Sequence, residues 1–209
     1  IGGGSGGLSL AAGAAQMGAR VVLFEGGQMG GDCLNYGCVP SKALIKSAKV
    51  AHQMRHAEKY GLNATTPAFS FAQVMQRIRQ VIQAIEPHDS IERYTELGVN
   101  CMTGEARVID PWRVEVNGKV LTTRSIIIAT GASPFVPPIP GLDEVHYLTS
   151  DTLWELREQP KRLLVIGGGP IGCELTQAFN RLGSQVTQVD ISHRIMPRED
   201  ADVAAEVAA

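Results

Sequence analysis

Apolar residues along this chain fall either into short continuous blocks or into helical stripes, and their order predicts alternating strands and helices. Val21 to Phe24 is one such block, ending at Glu25, and Leu163 to Ile166 is another; the run from Val186 to Val189, interrupted by Thr187 and Gln188, reads as a further strand. Continuous blocks of this length, bounded by turn residues, read as strands buried on both faces. Helical stretches lie beside them, an Ala-rich one from Gly7 to Gly18 and another from Gly172 to Gly183. Between the two strand-helix groups, Pro40 to Arg55 reads as a helix with proline near its first turn, and Phe71 to Leu97 as a helical region interrupted at Glu86-Pro87. Arg107 to Ile109, Arg113 to Val116 and Lys119 to Thr122 then read as short strands linked by turns at Asp110-Pro111 and Asn117-Gly118, a small antiparallel meander. Ser125 to Ala129 is expected to be a buried strand that carries Thr130-Gly131 to a ligand crevice. Pro134 to Gly141, with four prolines, is the expected linker.

The same pattern occurs twice. Gly2, Gly4 and Gly7 form a GxGxxG followed by a helix and a strand that ends at Glu25; Gly167, Gly169 and Gly172 repeat it with a strand that ends at Asp190. The interval from last glycine to acid is 18 in both copies. A strand, Arg162 to Ile166, precedes the second copy, which is the context that makes a GxGxxG a dinucleotide fingerprint. A pyrophosphate is held by backbone N–H groups at a helix start, and glycines let it approach; the acid then accepts from a ribose diol. A lone GxGxxG is as often a tight strand-helix turn, but two copies in register with an acid favour binding. Glu25 and Asp190 are therefore the expected ribose readers, and the fold class is α/β with two Rossmann-like halves. A carboxylate at Asp190 disfavours a 2′-phosphate, so NADH is expected over NADPH, with Arg194 the residue that could reverse the choice.

Between the copies lies Cys33-Leu34-Asn35-Tyr36-Gly37-Cys38. Residues five apart in a regular helix are separated by a rise of about 7.5 Å, too far for a disulfide, so a bond between these two requires a distorted backbone, which Gly37 permits. Cys38 would lie just before the helix opened by Pro40, where the positive helix end favours a thiolate. Zinc would need two further ligands, and the nearest histidine, His52, is far along the chain. A purely structural disulfide would close a very small loop, and two buried thiols would leave the surrounding glycines unexplained. Redox use is the favoured reading.

Gly30 to Lys42 resembles the redox motif of the class I pyridine nucleotide-disulfide oxidoreductases, which include dihydrolipoamide dehydrogenase, glutathione reductase and mercuric reductase. Ile1 to Glu25 resembles the family's FAD fingerprint, Thr130-Gly131 its second FAD-contacting motif, and Gly167 to Asp190 its nicotinamide fingerprint. The resemblance implies an FAD domain over residues 1–145, containing the meander, and the opening of an NAD(P) domain over 150–209. It implies FAD and NAD(P)H as cofactors, Cys33 as the thiol that attacks an external disulfide, and Cys38 as the thiol against the flavin. Lys42 matches the family's flavin-side lysine and Glu174 its partner; a buried lysine would need such a partner, although sequence alone equally allows a surface position. There are departures: Asp32 replaces the usual Thr, and Pro170 stands where glutathione reductases carry a gating Tyr. Glu86 to Tyr94 resembles mercuric-reductase-like members. Cys101 and Cys173 match no redox position and are read as small fillers.

Composition adds exclusions. With 44% hydrophobic residues, 19% charged and a formal net charge of -2, the chain can bury a core, and no basic cluster draws it to nucleic acid or an anionic membrane. No apolar run is long enough to span a bilayer. No metal site is expected. The family's returning FAD segment and dimerisation domain, with a His-Glu acid-base pair, are expected beyond Ala209, so residues 1–209 are expected to be an incomplete catalyst. A cytoplasmic homodimer acting on a small disulfide or metal ion is the expected whole. The competing readings are a flavin-dependent NADH dehydrogenase that passes electrons to a quinone or oxygen, and a non-catalytic dinucleotide-binding redox sensor.

Overall fold

The computed structural model describes all 209 residues, which form two compact units. The first comprises Ile1–Pro40 with Arg79–Trp154, and the second Ser41–Ile78 with Glu155–Ala209. No helix is long and apolar enough to cross a membrane.

In the first unit, α1 (Ser5–Gln16) follows the first glycine loop and leads to β1 (Val21–Glu25), which pairs in parallel with β2 (Val99–Thr103) from Val21↔Val99 to Glu25↔Thr103. Strand β1 is covered on both faces, as its unbroken apolar run requires. Leu23 packs with Leu8, Ala11, Tyr94 and Val99 on one side; Phe24 packs with Val114 and Val116 on the other. The second group belongs to the meander β3 (Ala106–Asp110), β4 (Arg113–Val116) and β5 (Lys119–Thr122), antiparallel in that order. Asn117 and Gly118 take φ of 48° and 75°, the pair of positive values that a two-residue I′ hairpin turn requires. A short helix α2 (Gly31–Asn35) precedes α3 (Cys38–Arg55), so Cys38 is the first residue of that helix and not a residue before it.

Helix α4 (Phe71–Ile85) buries Phe71, Met75 and Ile78, spaced by four and three, the stripe that its periodicity predicts. A 3₁₀ turn at Glu86–Asp89 interrupts the helical region where Pro87 removes an N–H donor. Helix α5 (Ile91–Glu96) then restarts with Ser90 capping the Arg93 N–H at 3.2 Å.

One strand expectation fails. Ser125 to Ala129 forms no strand; it meets the first residue through Ile1 N–H₃⁺ to Ile127 O and Ala129 N–H to Ile1 O, both 2.8 Å, and two rungs do not make a ladder. Ile127 and Ile128 are exposed rather than buried.

In the second unit β6 (Arg162–Ile166) pairs in parallel with β7 (Gln185–Val189), joined by α6 (Pro170–Leu182), and α7 (Ala201–Ala208) closes the chain. Helix α6 ends at Gly183, whose φ of 104° supplies the left-handed cap. Phe179 is fully buried, its ring centroid 6.0 Å from that of Phe71. Leu164, Ile166 and Val189 face outward and are exposed, because α6 covers only one face of a two-stranded sheet.

Candidate functional site

The two glycine loops are built alike. Gly2 and Gly167 have φ of 105° and 121°, a turn into the loop that only glycine makes without strain. A Cβ on Gly7 would collide with the Gly2 carbonyl oxygen, and one on Gly172 with that of Gly167, so the third glycine lets the helix start press against the turn. The second glycine differs: nothing of the protein lies within 4 Å of a Cβ placed on Gly169. The protein's own packing does not require glycine there, and the open space fits the close approach of a phosphate.

The acids also do the same work in both copies. Glu25 Oε2 accepts from Gly3 N–H and Oε1 from Gly27 N–H, each at 2.5 Å. Asp190 Oδ2 accepts from Gly168 N–H at 2.6 Å and Oδ1 from Ser192 N–H at 2.7 Å. Each carboxylate thus braces its loop with one N–H on each oxygen, leaving lone pairs for a ribose. These hydrogen bonds, first from the Ser192 backbone and then from Gly168, hold the Asp190 carboxyl below the usual carboxylate range. Arg194 is turned away, its guanidinium donating to the carbonyls of Pro197 and Glu199 at 3.2 and 2.8 Å. In the first unit Thr130 lies against the loop, since a Cβ on Gly2 would meet the Ala129 carbonyl and lie 3.1 Å from Thr130 N; Gly131 turns there with φ of 73°.

The cysteine segment is seated on the first loop. Gly30 N–H donates to Gly3 O at 2.9 Å, Gly4 and Gly30 form a parallel bridge, and a Cβ on Gly31 would stand 2.6 Å from Gly4 Cα. Asn35 Nδ2 staples this entry by donating to Met29 O and Gly31 O at 3.1 and 2.9 Å. Helix α2 carries Cys33 and stops at Asn35; Tyr36 and Gly37 N–H both return to Asp32 O, at 2.8 and 2.6 Å, and α3 starts at Cys38. This is the distortion that the spacing demands. A Cβ on Gly37 would lie 3.4 Å from Cys33 Cα and 3.3 Å from Asp32 Oδ2, so the turn folds back on Cys33 and brings Gly37 close to the Asp32 carboxylate. Cys33 is half-buried, Cys38 is exposed, and both are thiols here.

One tie in this segment has no counterpart in the sequence reading. Trp154 donates its indole N–H to Tyr36 O at 2.7 Å, across 118 positions. Its only advance signal is the rarity of tryptophan, of which the chain has two.

In the second unit, Lys42 Nζ meets both oxygens of Glu174, at 2.7 and 2.5 Å across 132 positions, as the family resemblance implied. The pair is not buried: the side chains are 59% and 42% exposed. Cys173 accepts from Gln188 Nε2 and meets Gly168 O, while Cys101 lies on β2, where burial pushes its thiol up.

The sequence signature described as "Pyridine nucleotide-disulphide oxidoreductase" matches residues 1–209, the whole chain. The chain belongs to this family. It is 39% identical over 207 residues to a mercuric reductase of Staphylococcus aureus, covering 99% of this chain and 38% of that protein. It is 34% identical over 211 residues to a dihydrolipoyl dehydrogenase of Bacillus subtilis, covering 98% of this chain and 46% of the relative. The chain therefore spans less than half the length of these two relatives. Among solved structures, the flavoprotein disulfide reductase RclA of Escherichia coli superimposes with a TM-score of 0.82 at 31% identity, over 100% of this chain and 45% of that one. LpdA of Mycobacterium tuberculosis gives 0.85 at 28% identity, over 99% and 47%. Members of this oxidoreductase family contain FAD and use NAD(P)H, and the glycine loops, with their braced acids, fit two such dinucleotides.

Proposed function

We propose that this protein passes two electrons from NADH by way of FAD to a Cys33–Cys38 disulfide, and from the resulting dithiol to a small acceptor. The observation that carries this reading is the seating of the cysteine turn on the first glycine loop through Gly30–Gly3 and Gly31–Gly4. Residues 1–145 are read as the FAD-binding part and 150–209 as the opening of the nicotinamide-binding part. Gly2, Gly4, Gly7, Glu25, Thr130 and Gly131 would hold FAD; Gly167, Gly169, Gly172 and Asp190 would hold the nicotinamide dinucleotide. When bound, FAD supplies the two-electron relay between nicotinamide and disulfide.

The chain's own chemistry follows from the turn. The Cys33 thiolate attacks one sulfur of an external disulfide, forming a mixed disulfide and expelling one thiolate, which takes up a proton. Cys38 then attacks Cys33 Sγ, releasing the second thiol and restoring the internal disulfide, so one two-electron reduction yields two thiols. Lys42, fixed by Glu174, supplies a positive charge one helical turn beyond Cys38. Arg194 is occupied by backbone carbonyls and Asp190 stands at the strand end, which supports NADH over NADPH. A thiol-binding metal ion is the second acceptor class. It is supported by the mercuric reductases among the relatives and by a solved Cu(II) complex of RclA. Thiol chemistry of this kind suits a reducing compartment, and we read the whole protein as a cytoplasmic homodimer.

Anaerobic titration of the holoprotein with NADH tests the reading. A long-wavelength thiolate-to-flavin band is expected that disappears in Cys38→Ser, and Cys33→Ser should lose three orders of magnitude or more of disulfide reduction. Absence of the band in the unmodified protein would sink the disulfide route in favour of direct flavin chemistry. Comparing kcat/KM for NADH and NADPH tests the role of Asp190.

A further inference from the structure

The link between the two cysteine-bearing helices is only Tyr36 and Gly37, and its backbone groups can be followed one by one. Both N–H groups go to Asp32 O, at 2.8 and 2.6 Å. The Tyr36 carbonyl points the other way, into the indole N–H of Trp154 at 2.7 Å. Trp154 is 8% exposed and sits in a 3₁₀ turn, Leu153–Glu155, anchored by Leu153 N–H to Thr149 O at 3.0 Å. The peptide plane between Tyr36 and Gly37 is thus clamped from both sides, and that plane fixes where Cys38 begins its helix relative to Cys33.

We infer that Trp154 is a positioning residue for the redox pair: its N–H pins the Tyr36 carbonyl and keeps the two thiols within bonding reach in both redox states. The inference rests on reading Cys33 and Cys38 as the redox pair. Disulfide formation here joins two sulfurs with loss of two electrons and two protons to an external disulfide, which becomes two thiols. Its equilibrium depends on how often the two sulfurs are already together, which is an effective concentration. An indole N–H is donor only, and the part-buried Tyr36 carbonyl that loses it finds no replacement donor in a phenyl ring. Phenylalanine therefore removes the pin while keeping an aromatic ring in the pocket. At the net worth of one protein hydrogen bond, the disulfide should become about fivefold easier to reduce, a rise of about 20 mV for a two-electron couple.

The test equilibrates holoprotein and its Trp154→Phe variant in glutathione buffers and counts Cys33–Cys38 disulfide by mass spectrometry, which requires no turnover. A fivefold shift toward dithiol is expected, with flavin content and the rate of flavin reduction by NADH unchanged. An unchanged equilibrium overturns the inference, and so does a shift accompanied by flavin loss, which would indicate a merely structural role. Should the variant not fold, 5-fluorotryptophan in the unsubstituted protein gives a second readout. The fluorine signal of Trp154, assigned as the one lost in Trp154→His, which keeps an N–H donor, should move when the pair is reduced; a signal indifferent to redox state refutes the coupling. If Cys33 and Cys38 never pair under oxidation, the functional reading itself falls, a different result from an unmoved equilibrium.

Discussion

The loops at Gly2–Gly7 and Gly167–Gly172 share a turn, a helix contact and a carboxylate brace, yet they differ in what rests on them. The first carries the cysteine turn proposed as the redox site, with Gly30 N–H on Gly3 O, and Gly31 pressed to Gly4. The second has an equivalent rung, Met196 N–H to Gly168 O at 2.6 Å, but no chain against Gly169. One loop is built into its chemistry and the other is left accessible. That difference suits a cofactor that stays beside a disulfide and a nucleotide that comes and goes.

The sharpest way to break the comparison is at the third glycine. An Ala methyl at either position would overlap a carbonyl oxygen, so the helix must back away, at a cost of about 1–3 kcal/mol or more. Gly7→Ala should yield protein largely without flavin, as judged by its visible spectrum. Gly172→Ala should keep its flavin and show a KM for NADH raised tenfold or more. If both variants lose flavin equally, the two loops do not have separate ligands.

Much of this twin architecture was legible in the sequence because glycine loops and terminal acids are local and periodic. The I′ turn at Asn117-Gly118 and the break at Pro87 were legible for the same reason. Strand β2 was not: Val99-Asn100-Cys101-Met102-Thr103 has no clean alternation, and it becomes a strand by pairing with β1. Helix α2 was hidden because its start needs two left-handed glycines, Gly30 and Gly31, that read as loop. The run from Ser125 to Ala129 misled because apolar content predicts burial, whereas Ile127 and Ile128 are exposed and the run makes only two rungs, both to Ile1. Lys42–Glu174 came only from the family resemblance, and Trp154–Tyr36 from nothing local at all.

A smaller effect is expected at the acids. Asn has one acceptor oxygen where Asp190 uses two, so Asp190→Asn keeps only one of the Gly168 and Ser192 bonds; a KM for NADH raised roughly fivefold is expected. Glu25→Gln should instead weaken flavin retention. The pH dependence has a definite sign. The Asp190 carboxyl is depressed in the folded state, so its contribution to stability is fully present above the ordinary carboxylate value of about 3.9 and is lost as pH falls through the lower folded value. Melting temperatures of the unsubstituted protein and Asp190→Asn should therefore differ by a constant amount from pH 5 to 8 and converge only below about 4. A gap that closes near neutrality would contradict the bracing.

The smallest expected effect tests the one rung where the copies use different residues for the same turn. Gly30 and Met196 both send their N–H to the glycine loop and both have positive φ, 83° and 51°. Glycine occupies that region freely, whereas an L side chain there costs roughly 1–2 kcal/mol. Replacing Met196 with glycine alone would confound this relief with the loss of a half-buried side chain, so the informative contrast is Met196→Gly against Met196→Ala. Both delete the side chain beyond Cβ, and only glycine relieves the backbone. In a helix or strand glycine is the worse of the two by about 0.5–1 kcal/mol, because the unfolded chain gains more freedom. Here the order should reverse, with the glycine variant more stable in urea by about 0.5–1 kcal/mol. The mirror change, Gly30→Ala, should cost more, since its Cβ would also strike the Leu34 side chain. An alanine variant at 196 as stable as the glycine one would mean that the second loop does not hold its rung in the left-handed turn.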